Sequence, residues 1–269
     1  MTNRTLPKLR LALRFYLGLG APCLRAAYPE CRVRAAVGYT PDLLRALAAL
    51  RRGESDAGSV EQVNFRCAII TPAGDDRRFF FKEFPREHAL HDFERALRCS
   101  RVDRAWRVAH LLPQFGILTP KAVGTALARR GSEPVEYLAT EWLPDAIPYH
   151  MRLRSVRDRG QRVAMLTEFA RHLRHWHDCG LYLRDLVTNV LTRESPSGLE
   201  YWLTDLDQTH PIRRLTRKRL LHQMAQFARW TGPLTEWEAG AIISACLDRV
   251  NERNYDRLES VLLNTPPAA

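Results

Sequence analysis

The spacing of apolar residues changes several times along the chain, and each change marks an element. Between Pro41 and Arg52, Leu43, Leu44, Leu47 and Leu50 recur at helical spacing with Asp42 in the first turn, which predicts an amphipathic helix with one packed face. From Val60 the period falls to two. Val63, Phe65, Cys67 and Ile69 alternate with Asn64, Arg66 and Ala68, and Gly74-Asp75-Asp76 then turns the chain into a second strand, Arg78 to Phe84. Alternation in that strand puts Lys82 on one face with Phe80 and Phe84, and Phe79 and Phe81 on the other.

Val102, Ala105, Trp106, Ala109 and Leu112 predict a helix that stops near Pro113 and Gly116. Two strands follow, Lys121 to Ala128 and Val135 to Trp142, across a turn at Arg130-Gly131-Ser132. Leu143-Pro144-Asp145 reads as the crossing point into a mainly helical second half. Its clearest helix spans 161–178, with Val163, Leu166, Phe169, Leu173 and Trp176 on one face and Gly180 as the stop. A strand-like stretch covers 199–204, and helical patterns cover 216–230 and 235–263. The expected fold is α+β in two lobes: a basic helical extension at 1–52, a small β-rich lobe at 53–143 and a larger helical lobe at 144–269.

Composition sharpens this only in part. With 45% hydrophobic and 26% charged residues, 269 residues can bury a substantial core. The formal charge of +11 favours an anionic partner without choosing which. Six cysteines lie scattered with no CxxC pair, so neither a zinc ribbon nor a dense disulfide framework is suggested and a reducing cytosol fits best. The apolar run from Leu11 to Ala21 is broken by Arg14 and far too short to span a bilayer, so neither a spanning helix nor a cleaved signal is expected. Lys8, Arg10 and Arg14 beside Phe15, Tyr16 and Leu17 suit either an anionic membrane surface or packing on the small lobe.

Four residues carry the chemistry, in the order Lys82, Asp185, Asn189, Asp205. Phosphoryl transfer asks a protein mainly for positioning and charge neutralisation. A lysine on an aromatic strand needs an anion near its ammonium, and ATP phosphates are one; a snorkelling strand-edge lysine is the plainer alternative. Asp185, just past a helix stop, is placed to orient an acceptor hydroxyl and take its proton. Asp205 follows a strand that can return it to Asn189, and one carboxylate with one amide oxygen and nucleotide phosphates suits Mg²⁺. Asp207 is expected to face solvent. The expectation is that Lys82 and the two aspartates converge on one crevice.

The chain resembles the bacterial lipopolysaccharide kinase family over about Val60 to Leu221. The resemblance rests on Phe80-Phe81-Lys82, Ser100-Arg101-Val102-Asp103-Arg104-Ala105-Trp106-Arg107, Phe115-Gly116-Ile117-Leu118-Thr119-Pro120, Thr140-Glu141-Trp142-Leu143-Pro144, His177 to Tyr182 leading into Arg184-Asp185, and Leu203-Thr204-Asp205-Leu206-Asp207. It implies a protein-kinase-like fold and ATP- and Mg²⁺-dependent phosphorylation of a Kdo or heptose hydroxyl. The acceptor would be a lipid-linked anionic glycan at the cytoplasmic face of the inner membrane, with peripheral contact to anionic lipid. It also implies that Lys82 binds the nucleotide phosphates, that the backbone from Glu141 to Leu143 meets adenine, that Asp185 is the base and that Asn189 and Asp205 hold the metal.

Departures from the kinase pattern keep a kinase-shaped binding or scaffold protein open, and a soluble phosphotransferase for an aminoglycoside or other small molecule would share the same machinery and differ only in its acceptor. No glycine-rich loop precedes Val63, and Leu183 stands where a histidine is common. Asn189 follows Asp185 by four residues where five are usual. Ala105 occupies the place of the glutamate that pairs with the strand lysine, leaving Glu94 or Asp103 as stand-ins. His172, His175 and His177 lack acidic or cysteine companions at zinc spacing and are expected to pack. His210, Arg213, Arg214, Arg217, Lys218 and Arg219 form a basic cluster suited to phosphorylated sugars or headgroups, or else a solvated helix face. Aromatic residues do not interleave with it, which weighs against nucleic acid.

Overall fold

A computed structural model describes residues 23–28, 31–36, 39–52, 58–64, 66–74, 76–85, 100–130, 133–211, 216–232, 234–246 and 260–264. The N-terminal basic stretch and Glu94 lie outside these residues. The chain divides into two compact units, Gly18–Pro144 and Asp145–Ala269 with Met1–Leu17.

The first unit is built on an antiparallel seven-stranded sheet in the order β1-β2-β6-β7-β5-β4-β3. Its strands are β1 (Cys23–Tyr28), β2 (Cys31–Ala36), β3 (Gly58–Asn64), β4 (Cys67–Pro72), β5 (Phe79–Phe84), β6 (Ala122–Arg130) and β7 (Glu133–Glu141). Helix α1 (Thr40–Arg52) lays its leucine stripe on one sheet face. Leu43 and Leu47 there meet Ile70, Phe79, Phe81, Val123 and Tyr137, all buried. Each such side chain contributes roughly 1.5–3 kcal/mol through burial, so this layer holds the unit together. The segment 23–52, set apart in the sequence reading, thus supplies two strands and the covering helix of this unit. Its strands escape a periodicity reading because Val33, Ala35 and Ala36 form too short and too small an apolar pattern.

The stretch read as one strand from Val60 to Ile69 is two. Asn64 accepts the Arg66 N–H through its side-chain oxygen at 2.9 Å, closing a tight turn between β3 and β4. Where β6 passes under α1, Gly124 has no room for a side chain. A Cβ there would lie 2.2 Å from Leu43 Cδ2 and 2.8 Å from the Arg34 carbonyl oxygen, and the latter is backbone and cannot swing away. Gly124→Ala is therefore expected to cost about 1–3 kcal/mol by overpacking, read as a lowered thermal midpoint with nucleotide affinity unchanged at low temperature.

Helix α2 (Arg101–Leu111) begins at Ser100, whose buried hydroxyl accepts the Asp103 N–H, and ends in a 3-10 turn (Leu112–Phe115) closed by left-handed Gly116. Asp103 faces Arg34, with Oδ1 2.7 Å from Nη2, and Arg34 lies over the Trp106 ring. The stand-in role for Asp103 is thus overturned: its carboxylate ties α2 to β2.

The second unit opens with β8 (Ile147–Pro148) and α3 (Tyr149–Ser155), followed by α4 (Arg159–Asp178), N-capped by Asp158. Then come β9 (Leu181–Leu183), the hairpin β10 (Val190–Ser195) and β11 (Gly198–Leu203), β12 (Thr209–Pro211), α5 (Arg217–Thr231) and α6 (Glu236–Cys246). Aromatic rings make its core. Tyr149 stacks on Phe169 at 4.3 Å, and Trp176, Tyr201 and Phe227 close round them. The helix read over 235–263 is helical at 236–246 and 260–264, and the residues between are not described. No helix among the described residues is long and apolar enough to cross a membrane.

Candidate active site

Two strand pairings bracket the acidic residues of the second unit. On one side the β10–β11 hairpin closes with Val190 opposite Leu203, so Asn189 and Thr204 meet at its mouth. The Thr204 N–H donates to the Asn189 carbonyl at 2.8 Å and its hydroxyl donates to the same oxygen at 3.2 Å. On the other side β9 pairs with β12, Leu183 opposite Thr209. The loop carrying Asp185 and the loop carrying Asp205 are therefore both short and pinned at both ends. This is the return of two strands that the sequence pattern implied, and it places Asn189 and Asp205 on adjoining stretches of backbone.

Asp205 adopts left-handed backbone angles, φ 53° and ψ 49°, unusual for a residue with a Cβ and a strained way to leave a strand. It is half-buried, as is Asp185, and Asn189 is buried with Thr188 Oγ1 3.4 Å from its Oδ1. Asp207 is 2% exposed, so the expectation that it faces solvent fails. The 3-10 turn at Leu206–Gln208 carries it inward as the chain bends toward β12.

Sequence reasoning missed two glutamines on α5. Gln223 is fully buried, with Oε1 2.7 Å from His177 Nε2 and Nε2 donating to the Leu183 carbonyl at 2.9 Å. Gln226 accepts the Leu186 N–H at 3.3 Å and donates to Asp185 Oδ1 at 3.1 Å. The legible signal was a pair of amides three residues apart on the face that also carries Met224 and Phe227. His177 and His172 pack as expected, whereas His175 is exposed. His177 is buried on Gln223, and His172 lies 4.6 Å from the Tyr201 ring, where burial lowers its pKa. Among the described residues no group of three or more His, Cys, Asp or Glu side chains is arranged to hold a metal. One carboxylate with one amide oxygen still suits Mg²⁺, whose remaining ligands are waters and phosphates. Of the basic cluster, Lys218 and Arg219 are exposed at the start of α5, with Arg219 over the Tyr182 ring at 5.3 Å. Arg213 and Arg214 lie outside the described residues.

In the first unit Lys82 sits on β5 opposite Cys67 of β4 and Leu138 of β7, its Nζ 5.0 Å from the Phe84 ring centroid. Phe79 and Phe81 face the α1 layer, and the alternation around Lys82 is as the sequence implied. At the end of β7 the backbone is fixed from both sides. The Glu141 N–H donates to the Lys121 carbonyl at 2.9 Å and the Trp142 N–H to the Arg78 carbonyl at 2.8 Å. The Glu141 carboxylate accepts from Tyr39 Oη and lies 3.6 Å from Lys121 Nζ, which itself donates to the Tyr39 oxygen at 2.6 Å. That hydrogen bond raises the Lys121 pKa, with the Glu141 charge adding to it. Two of the three amides between Glu141 and Leu143 are thus already spent within the protein.

No curated protein matches the chain. Among solved structures, "WaaP in complex with acyl carrier protein" aligns with a TM-score of 0.51 and 18% identity, covering 80% of this chain and 92% of that one. The Mycobacterium tuberculosis PknI kinase domain aligns with a TM-score of 0.41 and 15% identity, covering 75% of this chain and 94% of that one. The likeness to WaaP shows a protein-kinase-like fold. The model of the lipopolysaccharide kinase (Kdo/WaaP) family matches residues 70–245, more than half of the chain. The chain belongs to the lipopolysaccharide kinase (Kdo/WaaP) family.

Proposed function

We propose that this protein is an ATP- and Mg²⁺-dependent kinase that phosphorylates a Kdo or heptose hydroxyl of the lipopolysaccharide inner core by in-line transfer. The observation that carries this reading is the double bracketing of the Asp185 and Asp205 loops in a chain of this family. Asp185 orients the acceptor hydroxyl and takes its proton as the new bond forms. Lys82 neutralises nucleotide phosphates. Asp205 and Asn189 offer the oxygens that Mg²⁺ prefers, and the bound ion would supply charge neutralisation on the transferring phosphoryl group. With the Glu141 and Trp142 amides committed, the Leu143 N–H is the hinge donor left to meet the adenine edge.

The acceptor is lipid-linked and anionic, so the enzyme works at the cytoplasmic face of the inner membrane, in peripheral contact with anionic lipid. Exposed Lys218 and Arg219 suit phosphate or carboxylate groups on such an acceptor.

The test follows radiolabel from [γ-³²P]ATP into purified rough lipopolysaccharide, with mass spectrometry of the released core to locate the phosphate. Label on a Kdo or heptose hydroxyl is the expected result, and label confined to inorganic phosphate would overturn the reading. Thermal shift adds the metal. ATP with Mg²⁺ should raise the midpoint more than ATP alone, and Asp205→Asn should remove that increment while leaving the response to ATP alone. An undiminished increment in the variant would remove Asp205 from the metal site.

A further inference from the structure

We propose that Gln226 is a positioning residue for the catalytic loop, setting the direction of the Asp185 carboxylate through a two-ended amide contact. The inference deepens the proposed kinase reading and rests on it. Gln226 lies in the second half of α5, 41 residues beyond Asp185, and its side-chain amide meets two consecutive residues of the loop. Its Oε1 accepts the Leu186 N–H at 3.3 Å and its Nε2 donates to Asp185 Oδ1 at 3.1 Å. The two partners fix the amide's orientation without ambiguity, because an N–H must meet an oxygen and a carboxylate must meet a donor.

The chemistry explains why the loop needs this. Arg184 to Asn189 forms no regular element, so its peptide groups draw no help from a helix or sheet. Leu186 and Val187 are buried and hold the loop by packing, but packing alone leaves the Asp185 side chain free to rotate about its own bonds. A carboxylate that accepts a hydroxyl proton must keep one oxygen aimed at the acceptor. With Oδ1 held by Gln226, Oδ2 is left for the substrate. The neighbouring amide does a separate task. Gln223, one helical turn earlier, holds the Leu183 carbonyl and buried His177, which anchors the strand leading into the loop.

The experiment uses the full chain with Gln226→Leu and Gln226→Glu. Leucine removes both contacts at similar volume. Glutamate keeps an acceptor for the Leu186 amide and replaces the donor facing Asp185 by a second carboxylate. Hydrogen exchange by mass spectrometry should show faster exchange of the 184–189 segment in Gln226→Leu and near wild-type exchange in Gln226→Glu. In label transfer from [γ-³²P]ATP to rough lipopolysaccharide, kcat should fall roughly 10- to 100-fold in both variants with the KM for ATP within about twofold. A merely structural role would give the opposite split, with kcat per folded molecule retained and only the thermal midpoint lowered. Unchanged exchange in Gln226→Leu, or full kcat in both variants, overturns the proposal. Failure of the parent reading looks different, because wild-type protein would then transfer no label while the exchange data still report the contact.

Discussion

Asp185→Ala is expected to lower phosphoryl transfer by about 10²- to 10⁴-fold, the range for removing a positioned general base, while leaving the fold and ATP affinity nearly intact. Folding should survive the truncation for a local reason. Asp185 is only half-buried, and its side-chain hydrogen bond is with Gln226, whose other end stays on the Leu186 amide. Truncation therefore frees one amide N–H beside solvent and opens no apolar void. ATP affinity should persist because the proposed phosphate- and metal-binding roles belong to Lys82, Asn189 and Asp205. Label transfer, circular dichroism and calorimetric titration with ATP and Mg²⁺ on the same preparation decide the matter. Retained turnover in a folded variant would show that Asp185 is not the base, and lost ATP affinity would move it to the nucleotide.

Much of this site was legible because its elements have strong periods or strong stops. Alternation over Phe79 to Phe84 placed Lys82 on the face away from the α1 layer, and the long helix ending at Gly180 placed Asp185 directly after it. The Leu43, Leu47 and Leu50 spacing found α1 to within a residue. What escaped the sequence shares a physical character. Strand β2 has small or charged residues and acquires its strand identity from pairing with β6, a long-range partner that no local window contains, and β1 is added to the sheet edge by pairing with β2. β9 and β12 are three residues each and exist only because they pair with one another. The Asn64 turn hid inside an alternating run, since Val63, Phe65 and Cys67 keep period two across it.

Side-chain partners were the least legible part. Asp103 has the charge to serve a lysine, but α2 presents it to Arg34, and nothing in the spacing of Asp103 and Arg34 announces a pair formed across 69 residues. Strand alternation would put Asp205 and Asp207 of the Asp-Leu-Asp run on one face, so nothing in the spacing says that Asp207 goes inside. The run is not a strand there: Asp205 turns left-handed, a 3-10 turn follows, and Asp207 goes inside. Gln223 and Gln226 show the converse, polar residues on an apolar stripe that the loop's own backbone needs.

Arg162→Ala is expected to be the most destabilising single truncation in the second unit, because one guanidinium there holds four helices. From α4, Arg162 Nε reaches Glu238 Oε1 of α6 at 2.6 Å, while Nη1 donates to the Leu153 carbonyl of α3 at 3.1 Å and Nη2 to the Thr231 carbonyl of α5 at 3.2 Å. The pair is largely out of water, with side-chain exposures of 16% and 4%. Glu238 is committed elsewhere too, since its Oε2 accepts the Thr235 N–H at 2.7 Å and so caps its own helix. Removing the arginine strands a buried carboxylate and leaves two helix-end carbonyls without this donor, a loss of about 3–5 kcal/mol. For a chain of this size that lowers the thermal midpoint on the order of 10 °C. The sign of a second variant separates charge from packing. In Arg162→Met with Glu238→Leu both charges leave together, no lone carboxylate remains, and the midpoint should recover most of the loss. A double variant no more stable than Arg162→Ala would show instead that the Leu153 and Thr231 carbonyls, or the Thr235 cap that Glu238 also supplies, are the contacts that matter. The same measurement bears on catalysis, since α5 carries Gln226: turnover in Arg162→Lys, assayed well below its midpoint, should fall only if the helix that holds the Asp185 loop has moved.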